Sequence, residues 1–455
     1  MALCVMLAMT NQRTDTIAAI ASGAGRAGIG IVRISGPLAP EIARGICRQD
    51  LTPRHAHYLC FLDEGEQSID KGIALFFAAP HSMTGEHVVE LQGHGGPVVL
   101  DRLLRRVVQL GARPARPGEF SERAFFNDKL DLAQAEAISD LINSSSVAAA
   151  QAAVRSMSGD FSRHVDVIQE QLIALRVWLE AALDFSEEDI DFLAEPHLQQ
   201  RTAALIEQFD SLLSRAEQGQ RLRDGLTIVL AGAANAGKSS LLNALAGTES
   251  AIVTDIEGTT RDVLREQISI EGVPLHIVDT AGLRATDDLI EQEGIRRARA
   301  QMNSADHVLM LVDASNPVLP VVALPDAISQ TVIINKRDTQ SDEALARLIA
   351  QFGATMAISA NSGDGMDQLK CHLLSMAGHD SAVEGVYSAR RRHLDALRSA
   401  RVSTDAALAR LREASMPELA AEELRLAQQS LDQISGRFDS EDLLGRIFSD
   451  FCIGK

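Results

Sequence analysis

The spacing of apolar residues divides the chain into segments of different structure. Short apolar runs at 29–34, 73–77 and 88–91, joined by two amphipathic helices, predict an α+β domain over 15–118. From about residue 130 the apolar residues recur at alternating spacings of four and three, which indicates a helix-packing seam. The seam consists of Phe161, Val165, Ile168, Leu172, Leu175, Leu179 and Ala182.

A different pattern interrupts the helical segments. Apolar runs at 226–231, 275–278, 308–312 and 332–334 predict strands, and a second helical tract runs from about 389 to 444. The economical architecture is multidomain, with an α+β N-terminal domain, an all-α helical domain built from both flanks, and an α/β domain inserted into it. The expected boundaries are 1–14 for a ragged N-terminus, 15–118 for the N-terminal domain, 119–222 and 381–455 for the helical domain, and 223–380 for the inserted domain.

Residues 232–239 carry the clearest chemical signal. They read Gly-Ala-Ala-Asn-Ala-Gly-Lys-Ser and fit the phosphate-binding pattern G-x-x-x-x-G-K-[ST], between a predicted strand and a predicted helix. Glycines let such a loop curl, so that its backbone N–H groups point at phosphate oxygens. Lys238 can reach the outer phosphates, and the hydroxyl of Ser239 can ligate Mg²⁺. The segment is therefore a predicted P-loop.

Further motifs follow in the order that a GTPase requires. In Gly258-Thr259-Thr260-Arg261-Asp262 a threonine can close over the γ-phosphate and complete the magnesium shell. In Asp279-Thr280-Ala281-Gly282 the aspartate can hold Mg²⁺ through water, and the glycine N–H can contact the γ-phosphate. In Asn335-Lys336-Arg337-Asp338 the last carboxylate can accept from N1–H and the 2-amino group of guanine, a pair that adenine lacks. Ile358-Ser359-Ala360 is the expected loop under the base, so GTP is the predicted nucleotide.

The residue after the second switch motif points to an unusual mechanism. Leu283 stands where small signalling GTPases carry a water-orienting glutamine, so other groups must stabilise charge and position the water. The side-chain oxygen of Asn235 suggests a potassium ion, with loop oxygens between Thr254 and Thr259 as further ligands. The candidates to orient water are acidic, although acids also favour a solvated helix start: Asp287, Asp288, Glu291 and Glu293.

Composition constrains the cellular setting and the partners. The length of 455 residues predicts about three domains, and 46% hydrophobic residues suffice for substantial cores. The five cysteines form no C-x-x-C pair, which favours a reducing cytoplasm. Residues 1–9 are apolar but follow no basic residue and are too short to cross a bilayer, so we interpret them as a ragged start and predict no membrane segment.

The formal net charge of −19 has the wrong sign for binding nucleic acid through general electrostatics. An RNA contact would need a local basic patch or a surface shared with another protein. Five arginines could form such a patch, although a solvated helix face is the alternative for most of them: Arg102, Arg105, Arg106, Arg113 and Arg116.

At this point the chain resembles a known family. The asparagine in the P-loop, Gly-Thr-Thr-Arg-Asp and the missing glutamine are similar to the potassium-dependent, dimerisation-activated GTPases. Residues 117–136, Glu90-Leu91-Gln92-Gly93-His94-Gly95-Gly96 and the terminal Phe451-Cys452-Ile453-Gly454-Lys455 narrow the resemblance to the MnmE (TrmE) family of tRNA-modification GTPases. The resemblance extends from about Asp15 to Lys455.

The resemblance assigns roles within the GTPase motifs. It implies potassium ligands at Asn235, Thr254, Ile256 (through its carbonyl) and Thr259, and magnesium ligands at Ser239 and Thr260. It implies Glu291 as the water-orienting acid and, with Lys238, as a catalytic residue. The family usually has proline where this chain has Ala234. Proline rigidifies a loop by about 1 kcal/mol or less and donates no ligand, so the change should leave the mechanism intact and could loosen nucleotide binding. The predicted GTP contacts are Asn235, Ala236, Gly237, Lys238, Ser239, Ser240, Thr254, Asp255, Ile256, Glu257, Gly258, Thr259, Thr260, Asp279, Thr280, Ala281, Gly282, Asn335, Lys336, Asp338, Ser359 and Ala360.

The resemblance also implies a second ligand. The N-terminal domain resembles a fold that binds a tetrahydrofolate carrying a one-carbon unit, in its 5-formyl or methylene form, and that pairs in a homodimer. The folate-site candidates by motif position are Arg33, Glu90, Lys129 and Lys455. Arg33 could instead form a surface ion pair, and Lys129 could simply begin a helix. Cys452 could be a nucleophile beside the folate or an inert packing residue.

The implied function is GTP hydrolysis that, with an MnmG-type FAD protein, attaches an aminomethyl or carboxymethylaminomethyl group to C5 of the wobble uridine of certain tRNAs. Nothing in the composition points to RNA, so two alternatives stay open. One is a ribosome-assembly GTPase, and the other is a folate-sensing module that GTP hydrolysis gates.

Overall fold

The computed structural model describes most of the chain as two compact units. One unit comprises Met1–Ser139 and Arg425–Lys455, and the other comprises Asp140–Leu424. The described residues are 15–23, 25–144, 146–184, 196–233, 235–247, 265–270, 273–279, 305–319, 329–376, 385–413, 417–436, 447–449, 451 and 454.

The first unit is built on a six-stranded sheet. Its strands are β1 (Ile17–Ile20), β2 (Ala27–Ser35), β3 (His57–Leu62), β4 (Ser68–Phe77), β5 (Val88–Gly95) and β6 (Arg113–Pro114). The order across the sheet is β3-β4-β5-β2-β1-β6, and the short β6 is parallel to β1 while the other neighbours are antiparallel. The three predicted strands are confirmed, and each continues further than its apolar run.

Two amphipathic helices provide the apolar surface that this sheet packs against, as predicted. They are α1 (Ala39–Cys47) and α2 (Pro97–Gln109). In α1 the buried residues Ile42, Ala43 and Ile46 recur at helical spacing, and a proline in its first turn supplies a φ suited to a helix start. Ile42 and Leu103 pack with Ile34 of β2 in one core, each at most 1% exposed. The sheet therefore has one face in the core and another that carries partly exposed residues.

Helices follow, as the four-and-three spacing predicts. They are α3 (Glu119–Phe126), α4 (Leu132–Ile142), α5 (Val147–Met157), α6 (Asp160–Asp184) and α7 (Pro196–Asp224). All seven members of the predicted seam lie on α6 and are buried, the most exposed being Ala182 at 6%. Leu205, Phe209, Leu212 and Ala216 make a similar buried row on α7. No helix within the described residues is both long and apolar enough to cross a membrane.

The inserted domain is a mostly parallel sheet with helices. Its elements are β7 (Leu226–Gly232), α8 (Lys238–Ala246), β8 (Arg265–Ile270), β9 (Val273–Asp279), β10 (His307–Asp313), β11 (Ser329–Asn335), α9 (Asp342–Phe352), β12 (Met356–Ala357) and α10 (Met366–Met376). The order is β12-β11-β10-β7-β9-β8, and only β8 is antiparallel to its neighbour. Strand β10 is buried along nearly its whole length because the central strands of such a sheet are covered on both faces.

After the inserted domain the chain returns to the helical one in α11 (Arg391–Glu413) and α12 (Pro417–Ser435). Helix α11 packs along α7, where Arg398 pairs with Glu217 at 2.6 Å and Arg401 with Asp210 at 2.5 Å. The two flanks of the inserted domain are therefore adjacent. The predicted multidomain class, with α/β inserted into all-α, is confirmed.

The five arginines considered as a basic patch do not form one. On α2, Arg102 and Arg105 are exposed and Arg106 is partly buried, and all but one of the five arginines pair with carboxylates. The contacts are Arg102 with Asp63, Arg105 with Asp101, Arg106 with Gln109, Arg113 with Asp15 and Glu119, and Arg116 with Glu119 and Glu122. Their positive charge is largely neutralised locally, so this surface offers no basic patch to RNA.

A buried carboxylate holds β6, α3 and the start of β1 together. Glu119 is 2% exposed and accepts hydrogen bonds from Arg113 Nη1 and from the Arg116 backbone N–H, both at 2.8 Å. Arg113 and Arg123 also bind the carboxylate of Asp15. Burial raises the pKa of Glu119, but the hydrogen bonds from Arg113 and Arg116 outweigh it and lower the pKa to about 2. The ionised form is thus the one that the fold stabilises.

This network predicts a pH-dependent stability. The folded pKa of Glu119 lies below its ordinary value, so its stabilisation is complete above about pH 4.5 and is lost as the pH falls towards about 2. We expect Glu119→Gln to lower the free energy of opening of the first unit by about 3–5 kcal/mol near neutral pH and to flatten its decline in acid. Hydrogen exchange of the β1 amides measures that free energy.

The matched control is Glu122→Gln, on the same helix but with a partly exposed side chain paired to Arg116. It should change the opening free energy by about 1 kcal/mol or less. Equal acid sensitivity in the unaltered chain and in Glu119→Gln would contradict the assignment.

Candidate functional site

The predicted P-loop joins the carboxyl end of β7 to the start of α8. Asn235 and Gly237 both adopt left-handed backbone conformations, with φ of 68° and 91°. A Cβ atom on Gly237 would lie 2.2 Å from Nδ2 of Asn335, and one on Gly232 would lie 2.9 Å from the Leu311 carbonyl. These glycines are required because neighbouring groups approach the loop too closely for a side chain.

The ammonium group of Lys238 lies within this loop. From the first position of α8 it donates to the carbonyl of Gly232 at 2.9 Å and approaches that of Ala233 at 3.3 Å. Ser239 and Ser240 follow in the first turn of α8 and are exposed. A cation and free N–H groups at a helix start form an anion-binding arrangement. The geometry suits the phosphates of a nucleotide.

A buried amide connects the loop to the rest of the predicted site. Asn335, at the end of β11, is 1% exposed. Its Nδ2 donates to the carbonyl of Ala236 at 2.9 Å, and its Oδ1 accepts from the backbone N–H of Ala360 at 3.1 Å. The structure thereby brings the P-loop and the 359–360 loop, which lie far apart in sequence, to one edge of the sheet.

The other residues of the predicted base site lie beside this amide. Lys336 pairs with Asp313 at 2.6 Å, and Asp338 follows in a short 3₁₀ helix, Arg337–Thr339, with an exposed side chain. Ser359 is fully buried, and its hydroxyl accepts from the backbone N–H of Ser362 at 3.2 Å. Asp338 is thus available to accept from a base edge, while Ser359 supports the loop beneath it.

Asp313 is a site residue to which the sequence reasoning gave no role. Burial raises its pKa, but the hydrogen bonds from Lys336 and Ser315 and the charge of Lys336 together outweigh burial and lower the pKa. The ion pair holds the ammonium group of Lys336 at the carboxyl end of β10. The available signal was its position, because a charged residue at the carboxyl end of a buried strand commonly faces a ligand site.

Several predicted residues lie outside the described part of the chain. For Asp279 the structure gives the strand end, with β9 parallel to β7, but not the side chain. The predicted residues outside it are Thr254, Asp255, Ile256, Glu257, Gly258, Thr259, Thr260, Thr280, Ala281, Gly282, Glu291, Cys452 and Lys455. Within residues that are described, no group of three or more His, Cys, Asp or Glu converges as a metal cluster would. A hydroxyl such as that of Ser239 is nevertheless a suitable oxygen ligand for Mg²⁺.

The first unit brings two of the folate candidates together. Arg33 on β2 and Glu90 on β5 are register partners, and Nε of Arg33 lies 2.9 Å from Oε1 of Glu90. Nη1 of Arg33 also donates to the carbonyl of Gly454 at 3.2 Å. The pair is half-buried, so Arg33 forms an ion pair that is not a fully solvated surface one. The contact with Gly454 places this residue beside the two candidate folate groups.

Lys129 and His94 lie elsewhere in the same unit. Lys129 is exposed and packs its aliphatic chain near Gly85, where an added Cβ would lie 3.2 Å from Cε of the lysine. His94 is exposed, and its Nδ1 bonds to Asp70 at 2.8 Å, while its backbone N–H donates to the same carboxylate at 2.7 Å. These bonds fix the end of β5, which agrees with the structural role that its neighbouring glycines suggest.

Two protein-family models match the chain. The model described as “MnmE helical domain” matches residues 132–452, and the model described as “GTP-binding protein TrmE N-terminus” matches residues 16–129. The first match spans both helical flanks and the α/β domain inserted between them, and the second covers the α+β domain with its six-stranded sheet.

Relatives that match over nearly their whole length carry the same family name as these models. The tRNA modification GTPase MnmE of Ectopseudomonas mendocina is 53% identical over 454 residues, covering 98% of this chain and 100% of that protein. The proteins of the same name from Pseudomonas savastanoi and Pseudomonas aeruginosa are each 54% identical, covering 98% and 97% of this chain and 100% and 99% of theirs. Since the identity is this high over both proteins' whole lengths, the chain belongs to the MnmE (TrmE) family of tRNA modification GTPases.

Proposed function

We propose that this chain is a cytoplasmic, potassium-dependent GTP hydrolase that works as a homodimer with an MnmG-type FAD protein. Together they install an aminomethyl or carboxymethylaminomethyl group on C5 of the wobble uridine of certain tRNAs, using a tetrahydrofolate one-carbon unit. The family membership supports the coarser part, a GTPase of tRNA modification. The observation that carries the nucleotide site is the Asn335 amide, which joins the P-loop to the predicted base loop.

The chain's own residues account for GTP binding. Backbone N–H groups of the P-loop and the ammonium of Lys238 would hold the phosphates, since both lie at the start of α8. Ser239 and Thr260 would ligate Mg²⁺, with Asp279 acting through water. The metal supplies neutralisation of phosphate charge. The exposed carboxylate of Asp338 would select guanine.

The monovalent cation is supported by the loop geometry. Asn235 adopts the left-handed backbone that asparagine tolerates, and its side chain is exposed at the P-loop. Its oxygen can therefore face a cation shared with Thr254, Thr259 and the carbonyl of Ile256. A cation there would supply the positive charge that an arginine finger provides in other GTPases. Glu291 would orient the attacking water in place of the glutamine that Leu283 replaces.

The cation site predicts a salt dependence. GTP turnover should rise about 100-fold or more when potassium replaces sodium, because removing one charge-stabilising group from such a site costs about 100- to 1,000-fold in rate. Asn235→Ala should abolish the difference, and Asn243→Ala on α8 serves as a control that keeps it. Steady-state hydrolysis in matched chloride salts measures both. Equal rates in the two salts for the unaltered chain would rule out the cation.

The folate site is supported by the arrangement around Arg33. The guanidinium of Arg33 contacts both Glu90 and the Gly454 carbonyl, and Gly454 lies next to Lys455 and two residues after Cys452 in the sequence. Arg33, Lys129 and Lys455 would bind carboxylates of the glutamate tail, and Glu90 would accept from the pterin N–H edge. Cys452 is the candidate nucleophile beside the one-carbon unit.

A binding measurement separates these roles from the ion pair. Glu90→Gln keeps the shape of the side chain but removes its charge, and it should weaken binding of 5-formyltetrahydrofolate about 10-fold or more, since a charge-assisted hydrogen bond is lost. Calorimetric titration of the purified chain gives the affinity. The control is Glu66→Gln, whose exposed side chain pairs with Arg48. Unchanged affinity in Glu90→Gln would leave Glu90 a structural partner of Arg33.

The tRNA step follows from the family and from the charge. Since four of the five arginines considered as a basic patch pair with carboxylates and the net charge is −19, the tRNA contact is expected to be shared with the flavoprotein partner.

Nucleoside mass spectrometry of bulk tRNA, from cells with and without this chain, tests the whole proposal. C5-substituted wobble uridines should disappear without it and return when the unaltered chain is supplied. An unchanged nucleoside profile would contradict the tRNA step and favour a ribosome-assembly GTPase. Folate binding together with an unchanged profile would favour the folate-sensing module.

A further inference from the structure

The chain crosses between the helical and inserted domains twice, and both crossings lie against one carboxylate. The outgoing crossing is the end of α7, from which Gly225 leads directly into β7. The returning crossing is 385–390, just before α11. Asp140, near the end of α4, lies beside both crossings, and its side chain is 9% exposed.

Asp140 holds the returning crossing firmly. Its Oδ2 accepts from the hydroxyl of Ser388 at 2.7 Å, and its Oδ1 accepts from Nη2 of Arg390 at 2.8 Å. The Ser388 carbonyl in turn accepts from the hydroxyl of Ser156 at 3.1 Å. Tyr387 packs so closely on α7 that a Cβ atom on Gly219 would lie 1.6 Å from its carbonyl oxygen. The returning crossing is therefore fixed against α4, α5 and α7.

The same carboxylate holds the outgoing crossing loosely. Nη1 of Arg223 lies 4.0 Å from Oδ2 of Asp140, beyond hydrogen-bond distance. The rest of this guanidinium is bound to Asp224, with Nε at 2.7 Å and Nη2 at 2.5 Å. Nη1 is buried and makes no hydrogen bond within the described residues. Arg223 thus lies between the carboxylates of Asp140 and Asp224. A movement of its Nη1 by about 1 Å would bring this atom within hydrogen-bond distance of Asp140.

Strand β7 connects this arginine to the nucleotide site. It begins at Leu226, pairs on one side with β9 and on the other with β10, and ends at the P-loop. A strand hydrogen-bonded on both sides moves as a unit with its neighbours. If the P-loop moved during the nucleotide cycle, the displacement would reach Arg223 through β7, because packed elements with two arrangements can transmit such a shift.

We propose that Asp140 is a positioning residue that couples the nucleotide site to the helical domain, by binding Arg223 on the outgoing crossing in competition with Asp224 while it holds Ser388 and Arg390 on the returning one. The proposal rests on the GTPase function proposed above. The buried carboxylate of Asp140, which lies outside the GTP site, would then transmit the nucleotide state to α11. Among the described residues the side-chain contacts of Asp140 are with Ser388, Arg390 and Arg223, so its removal should separate hydrolysis from its consequence.

The test is hydrogen exchange of the purified full-length chain loaded with GDP or with a non-hydrolysable GTP analogue. In the unaltered chain the backbone amides of 386–394 should exchange at different rates in the two states. In Asp140→Asn, which keeps the shape but loses the charge, the difference should vanish while GTP turnover stays within about twofold. Asp395→Asn is the control, because this exposed carboxylate lies on α11 and its ion pairs within the described part of the chain are with Arg391 and Arg398 of the same helix.

A second readout uses tRNA modification. Modification with the flavoprotein should fall about 5- to 150-fold in Asp140→Asn, the range of a typical coupling between sites, while GTP turnover is maintained. If Asp140→Asn does not fold, the test uses Arg223→Gln. The side chain of Arg223 is 26% exposed, so we expect this substitution to leave α7 folded.

The outcomes distinguish the inference from the function on which it rests. An exchange difference of unchanged size in the folded variant, no difference in the unaltered chain, or a parallel loss of turnover and modification would each overturn the coupling role. A chain that hydrolyses no GTP would contradict the proposed function instead, and the coupling with it. If Asp140→Asn preserves GTP turnover but loses the exchange difference between the two nucleotide states, the coupling role of Asp140 is supported.

Discussion

The nucleotide edge of the inserted sheet depends on one buried amide. Loops at the carboxyl ends of parallel strands have backbone groups without ladder partners, and any that are buried must find another partner. Asn335 supplies a donor to the Ala236 carbonyl and an acceptor to the Ala360 N–H, so it satisfies one group on each of two loops. The distance between the phosphate-recognition loop and the base-recognition loop is consequently set by a single side chain of fixed length.

In the first unit, ion pairs hold short segments in place. Its last strand, β6, has only two residues and its first helix after that strand is short, so backbone pairing alone holds them weakly. Glu119 and Asp15 tie them together through Arg113 and Arg123. Arg33 does the same for the chain's end, since it links β2 and β5 to Gly454. In both cases a buried or half-buried ion pair adds to a small apolar cluster, which includes Ile17 and Phe120 near β6 and Phe448 and Phe451 near the chain's end.

The elements were predictable from sequence because their signals are local. The four-and-three spacing on α6, the apolar runs of β7 and β10, and the P-loop between a strand and a helix each depend on neighbouring residues, and the structure confirms them. The partners of charged and amide groups were not predictable. Asn335 bonds to Ala236, 99 residues away in the sequence. The ion pairs of the α2 arginines depend on which carboxylates lie beside them in the folded chain. The roles of the site residues remain predictions, since many of them lie outside the described part.

The contact between Gly237 and Asn335 links two recognition events that are usually considered separately. A side chain at position 237 would occupy the space of the Asn335 amide nitrogen, which lies 2.2 Å from where its Cβ would be. The amide would then have to leave the Ala236 carbonyl, and its hold on Ala360 would go with it. A lesion in the phosphate loop would therefore also appear as a loss of discrimination between guanine and other bases.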